Sequence, residues 1–203
     1  MIRWIFGGKE IARNAIDTVH LERLLRDKKD GQEVYIEKVS KPERLETETI
    51  NALISLTRKG FGREDMDREE VLDHILETDI LHLLKIDGRL IGFASYSVFD
   101  MNIRPNPTFP RRILYLNGVV MDKESQGKGV GPASILEALK EHLPDALTLR
   151  TQNPAMYSAV KKISAGIGLE HKLFPSLRNV VDVEARDIAK GLSEKLREKH
   201  YDS

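Results

Sequence analysis

Cysteine is absent from the 203-residue chain. That excludes disulfides, thiolate metal ligands and any cysteine nucleophile, so no covalent intermediate can form on sulfur. Net charge is absent too. The 32 Lys and Arg balance 32 Asp and Glu, and no global field draws the protein to nucleic acid or an anionic membrane. No apolar run approaches the roughly 20 residues that span a bilayer, and Met1 to Phe6 is too short for a signal-peptide core. The expectation is a cytoplasmic protein with no nucleic-acid or membrane partner. The six histidines, His20, His74, His82, His142, His171 and His200, lack metal-ligand spacing, so no metal is expected and they read mostly as surface or packing residues. Repeats and long low-complexity tracts are missing as well. What remains is a length suited to one domain with modest additions, long enough to bury a core.

The stretch from Val119 to Gly131 carries the most readable chemistry. It reads Val-Val-Met-Asp-Lys-Glu-Ser-Gln-Gly-Lys-Gly-Val-Gly and joins an apolar strand to an amphipathic helix. Glycines at 127, 129 and 131 leave the backbone free to take positive φ, so successive N–H groups can turn inward and form an anion-binding nest. Pro132 suits the first position of a helix, and Ile135, Leu136, Leu139 and Leu143 follow at helical spacing. The loop therefore empties onto a helix N-terminus, where free donors and the helix dipole favour a diphosphate. A P-loop needs Ser or Thr after Gly-Lys, but Lys128 is followed by Gly129. The dinucleotide fingerprint fails too, because its third glycine arrives one residue early. A plain glycine-rich turn with no ligand accounts for the short motif about equally well.

In chain order, a helix is expected at about 9–27 and a strand at 34–39. Helices follow at about 43–59, opened by Pro42 and stopped by Gly60, and at 65–77, with Phe61-Gly62 as a corner between them. Strands 80–86 and 90–99 flank Asp87-Gly88, the strongest short hairpin signal. Pro105, Pro107 and Pro110 predict a loop, and 113–121 the next strand. After the glycine loop and its helix, a strand at 146–151 returns parallel through the crossover. Asn153-Pro154 caps a helix to about Ser164. Strands at 167–174 and 179–183 and a helix at 187–200, with Ile188, Leu192 and Leu196 inward, complete an α/β (α+β) chain on a mixed sheet.

Gln126, Gly129 and Gly131 stand where the Gln/Arg-x-x-Gly-x-Gly/Ala signature of the GNAT superfamily of acyl-CoA-dependent N-acyltransferases has them, and the order of elements is similar to the GNAT fold. The resemblance implies a mixed, mostly antiparallel sheet flanked by helices, with extra helices at both ends. It divides the chain into an N-terminal helical extension (1–32), a GNAT-like domain (33–183) and a C-terminal helix on the same domain (184–203). It implies acetyl-CoA as co-substrate, with its diphosphate on the amides of Gln126, Gly127, Lys128, Gly129, Val130 and Gly131 and help from Lys128 or the Ser134 hydroxyl. The pantetheine arm would lie on backbone groups of Val119, Val120 and Met121, freed by a bulge. Asn153 would face the cofactor as well as cap its helix. The family often carries a Tyr seven residues after this Asn as general acid for the thiolate; here that position is Val160, and Tyr157 is the substitute one turn earlier. The family's Gly-Phe after this helix is also missing, with Gly168-Leu169 as a displaced counterpart. An attacking amine must first lose a proton, and Tyr115 and Asn117 are the candidates to order a water for it. The reading is direct acetyl transfer to a primary amine, small-molecule or peptide, with a homodimer left open. The alternatives are an acyl-CoA sensor or scaffold that has lost turnover, and an unrelated nucleotide-binding protein.

Overall fold

The computed structural model describes residues 2–7, 33–103, 106–151, 153–166, 172–174 and 183–201, with the backbone alone at 2–7, 106–109, 165–166, 172–174 and 198–201. Its strands are β1 Ile2–Gly7, β2 Val34–Val39, β3 Ile80–Ile86, β4 Arg89–Ile103, β5 Asn106–Met121, β6 Ala146–Thr151 and β7 Lys172–Phe174. Its α-helices are α1 Thr47–Phe61, α2 Arg68–Leu76, α3 Val130–His142, α4 Pro154–Gly166 and α5 Val183–Tyr201. The result is a mixed α/β fold on a mostly antiparallel sheet flanked by helices. Two units divide the chain, one within 16–97 and 116–141, the other within 1–15, 98–115 and 142–203. The long strands β4 and β5 pass through both.

In the first unit the strand order is β2-β3-β4-β5. Antiparallel registers pair Ile36 with Leu84 and His82 with Ala94. The β3–β4 hairpin turns at Asp87 (φ 49°) and Gly88 (φ 76°), the double positive φ that an Asp-Gly turn supplies. Along β4 and β5, Asp122 donates its N–H to Ile91 O at 2.8 Å while Asn117 bonds Ser97. One index rises as the other falls, so this pair is antiparallel. Both faces are covered. Leu81, Leu83, Phe93 and Val120 pack under α1 and α2, while Leu84, Ile86 and Ile91 pack with Val130 of α3. That explains why Ile80–Ile86 is nearly all apolar instead of alternating.

The helices here begin later than expected. Pro42–Arg44 closes a separate 3-10 turn, Leu45 is extended (ψ 142°), and α1 runs past Gly60 to Gly62, whose φ of 65° lets its N–H reach back to Arg58 O and Lys59 O. Asp67 caps α2, accepting from Glu69 N–H at 2.7 Å.

In the second unit the order is β4-β5-β6-β1-β7. Asp145 N–H donates to Arg112 O, and Thr148 Oγ1 donates to Leu114 O. Both indices rise together, so β5 and β6 are parallel. Two expectations need correction. The proline stretch is strand, not loop, at Pro107 and Pro110, while Pro105 lies outside the described residues. Pro110 shares the β6-facing edge with Arg112 and precedes the level at which β6 begins to pair, so its missing N–H breaks no bond there. The opening residues are also strand: Ile2 pairs with Thr151 and Ile5 with Thr148 and Phe174. The helix expected at 9–27 lies outside the described residues, as do 167–171 and 179–182 of the two expected terminal strands. Helix α5 starts at Val183 and turns Ile188 and Leu192 onto Met101, Ile103 and Ile113, as its periodicity implied.

A Cβ on Gly92 would come within 2.4 Å of Val120 O, whereas one on Gly118 would meet nothing within 4 Å. Gly92→Ala should therefore cost about 1–3 kcal/mol by pushing backbone from backbone, and Gly118→Ala should stay within about 0.5 kcal/mol of wild type. Urea unfolding of the two variants checks this.

Candidate functional site

The site begins where β5 ends. Asp122 is held to β4 through its backbone, and its Oδ1 accepts from Glu124 N–H at 3.1 Å, opening the 3-10 turn Lys123–Ser125. Gln126 donates from Nε2 to Met121 O at 3.3 Å, folding the loop back on the strand. The chain then takes left-handed φ twice, 78° at Gly127 and 77° at Gly129. Alternation of left-handed glycines with ordinary residues turns successive N–H groups to one side.

Helix α3 opens at Val130, two residues before the expected start. Its first backbone bond runs from Ala133 N–H to Gly129 O at 3.0 Å, so the N–H groups of Val130 and Gly131 precede the helical ladder. Pro132 is thus the third helical residue, and the N–H it lacks is one the helix would leave unpaired anyway. Gly131 is helical and buried, not part of the positive-φ nest. A Cβ there would touch Met121 Sδ and Val119 Cγ1 at 3.5 Å, an ordinary contact. The side chains of Gln126 and Lys128 are exposed, while Val130 is fully buried.

The Ser134 hydroxyl does not reach this loop. It is wholly buried, 2.9 Å from His82 Nδ1 and 2.7 Å from the Tyr96 hydroxyl. His82, read as a surface or packing residue, is in the core and hydrogen-bonded. Burial pushes the Tyr96 phenol well above its usual range, with the Ser134 hydrogen bond acting the other way.

Of the backbone candidates, Val119 and Met121 are half-buried and Val120 is core. Asn117 donates from Nδ2 to Ser97 Oγ at 3.0 Å, which fixes its amide. Tyr115, two residues earlier, packs against the cluster around Ile113 and Leu192. In the second unit Asn153 Oδ1 accepts from Ala155 N–H at 2.9 Å, the expected cap, while its own N–H donates to Thr151 Oγ1. Tyr157 is half-buried one turn on, and Val160 is fully buried.

One feature escaped sequence reasoning. Beside Met121 lies a cleft of about 570 Å³, bounded by Lys59 and Glu64 around the α1–α2 corner, Arg89 of the hairpin, and Asp122 and Glu124 of the loop. Arg89 pairs with Asp122 at 3.4 Å. The Gly60–Gly62 corner was the signal that could have found it. Among the described residues no cluster of His, Asp and Glu is arranged to hold a metal ion, and no helix is long and apolar enough to cross a membrane.

A left-handed glycine loop between a strand and a helix N-terminus, within this order of elements, defines a class. The sequence model of the acetyltransferase (GNAT) family matches residues 47–160, more than half the chain, and the protein belongs to that family. Comparison with curated proteins gives no match. Among solved structures it is similar to an aminoglycoside acetyltransferase from an uncultured soil metagenomic sample in complex with sisomicin, at 14% identity over 64% of this chain and 86% of that one, with a TM-score of 0.47. An aminoglycoside N-acetyltransferase in complex with CoA is 18% identical over 70% and 91% of the two chains, with a TM-score of 0.45. A ribosomal-protein-alanine N-acetyltransferase from Brucella melitensis biovar Abortus is 17% identical over 64% and 87%, with a TM-score of 0.43.

Because only Gly127 and Gly129 of the loop hold positive φ, Gly127→Ala and Gly129→Ala should each cost about 1 kcal/mol, and Gly131→Ala should escape that penalty. Denaturant midpoints of the three variants check the assignment. The buried Tyr96 phenol makes a second prediction. An acid whose folded pKa is raised holds its proton after the unfolded chain has lost it, so its contribution is complete below about pH 10 and falls as pH rises further. Stability should drop above that pH, and Tyr96→Phe should flatten the drop in an alkaline unfolding series.

Proposed function

We propose that the protein is an acetyl-CoA-dependent N-acetyltransferase that moves the acetyl group directly to a primary amine. The observation that carries this reading is the loop itself: two left-handed glycines at 127 and 129, followed by the free first-turn N–H groups of α3, in a chain of the GNAT family. A diphosphate fits such a nest, since it needs several convergent N–H donors and the positive end of a helix. The amides from Gln126 to Gly131 hold it, with Lys128 as a nearby cation. The pantetheine arm runs along the backbone of Val119, Val120 and Met121.

In the transfer, the amine nitrogen attacks the thioester carbonyl, a C–N bond forms, and the C–S bond breaks. The amine proton leaves to solvent or a bound water, and the thiolate takes up a proton. Asn117, already oriented by Ser97, and Tyr115 are assigned to ordering that water. Tyr157 is assigned to protonating the thiolate, and Asn153 adds a polar contact to the cofactor. A backbone N–H on the oxyanion would supply about 3 kcal/mol when preorganised.

A second reading draws on Val160. It stands where the family often has its acid, and it is buried in the core, so a catalytically weak acyl-CoA sensor is the alternative.

Calorimetric titration with acetyl-CoA, CoA and ATP tests the cradle. Wild type should bind both CoA species and not ATP, and Gly129→Trp should bind none while keeping its circular dichroism. A wild type that binds no CoA species would sink the proposal. With binding established, thiol release across peptide N-termini, lysine, polyamines, amine drugs and small amine metabolites separates enzyme from sensor. In an active enzyme Tyr157→Phe should slow turnover at least about 10²-fold.

A further inference from the structure

His82 of β3, Tyr96 of β4 and Ser134 of α3 are all withdrawn from solvent, and the Ser134 hydroxyl joins them with bonds of 2.9 and 2.7 Å. The two rings stand edge to face with centroids 5.2 Å apart. The Ser134 hydroxyl has one proton to give and two lone pairs to accept with. If Ser134 donated to Tyr96, the buried phenol would need a second acceptor for its own proton, and among the described residues Ser134 is its partner. Tyr96 therefore donates to Ser134, and the bond between Ser134 Oγ and His82 Nδ1 is donated by whichever of the two atoms the imidazole tautomer makes the donor.

Where this network sits gives it a use. Ser134 directly follows Ala133, whose N–H makes the first helical bond of α3. The rest of that face is Leu84, Ile86, Ile91 and Val130, apolar contacts that hold a helix down and do little to fix its position along its axis. Directional bonds from one helical residue to two strands do fix it. The loop immediately before α3 has its N–H groups aimed by the same first turn.

We propose that His82, Tyr96 and Ser134 are positioning residues that pin the first turn of α3 in the register at which the amides of 127–131 converge on their anion. The proposal rests on reading that loop as the acyl-CoA cradle. It concerns affinity for the nucleotide substrate and leaves the chemistry at the amine untouched.

The test uses the full chain, with CoA titrated calorimetrically and amide hydrogen exchange followed without ligand. Ser134→Ala should raise the Kd for CoA about ten-fold and Tyr96→Phe about three-fold, with faster exchange at Val130, Gly131 and Ala133 in both. Ile75→Ala provides the control. It opens a cavity in the separate cluster under α1 and α2, lowers stability in its own right, and should leave the CoA affinity and those amides unchanged. A folded Ser134→Ala that binds CoA as wild type does would overturn the proposal, as would equal weakening in Ile75→Ala. Should Ser134→Ala fail to fold, the same outcomes are read from Tyr96→Phe, which leaves the Ser134 to His82 bond in place. Wild type that binds no CoA would instead remove the cradle reading beneath it, a result distinct from wild-type binding with unaffected variants.

Discussion

Everything at the loop depends on how tightly the end of β5 is held to β4. The bond from Asp122 N–H to Ile91 O is 2.8 Å, and Gly92 lets the two backbones approach so closely that a single added carbon would strike Val120 O. The last residues of β5 therefore have a fixed address. From that address the chain reaches a helix N-terminus only eight residues after Asp122. A 3-10 turn and two left-handed glycines fill the interval, because ordinary residues resist reversing direction twice in so few positions. The pair of left-handed glycines is thus partly a by-product of a tight strand-to-helix connection, stabilised by the Asp122 cap and the Gln126 bond to Met121 O.

A rigid strand end is useful only if the helix after it is equally fixed. The first unit achieves this with a core covered on both faces. On the α1 and α2 face the contacts are apolar. On the α3 face a polar triad is set among apolar neighbours. Buried hydrogen bonds add modest stability, since they replace bonds to water. What they add beyond that is geometric selectivity, because each shifted register of the helix would strand a donor or acceptor in the core. Loop and triad belong to one mechanical unit, strand end to helix start.

How much of this the sequence disclosed depends on the range of the interactions. Local chemistry was legible. Asp87-Gly88 specified its hairpin, Asn153-Pro154 its cap, and the periodicity of Ile188 and Leu192 the buried face of α5. Gly127 and Gly129 announced their positive φ. Features that depend on distant partners were not legible. The strand at Ile2–Gly7 needs β6, more than 140 residues away, and Pro110 sits in a strand because the neighbour that would need its N–H starts later. His82 shares the face of β3 that carries Leu84 and Ile86, but only the fold could bring Ser134 of α3 to it. Gly131 misled in the opposite way. Its spacing matched the nest, yet it is helical, and an added Cβ would make only an ordinary contact of 3.5 Å with Met121 and Val119.

A site built from backbone donors also accounts for what the chain reveals about its chemistry and what it withholds. N–H groups are the same in every residue but proline, so what the proposed cradle asks of its residues is φ and size. On the proposed reading the choice of acceptor cannot rest on the same atoms, because they face the constant half of the reaction. It has to come from side chains, and the cleft beside Met121 carries a balanced set of them: Lys59, Arg89 and Lys123 against Glu64, Asp122 and Glu124. Asp122 is already committed to Arg89 and to its turn. On the proposed reading, discrimination among amines then falls to exposed charges on a glycine-flanked corner, where substitution costs the fold little and changes the substrate most.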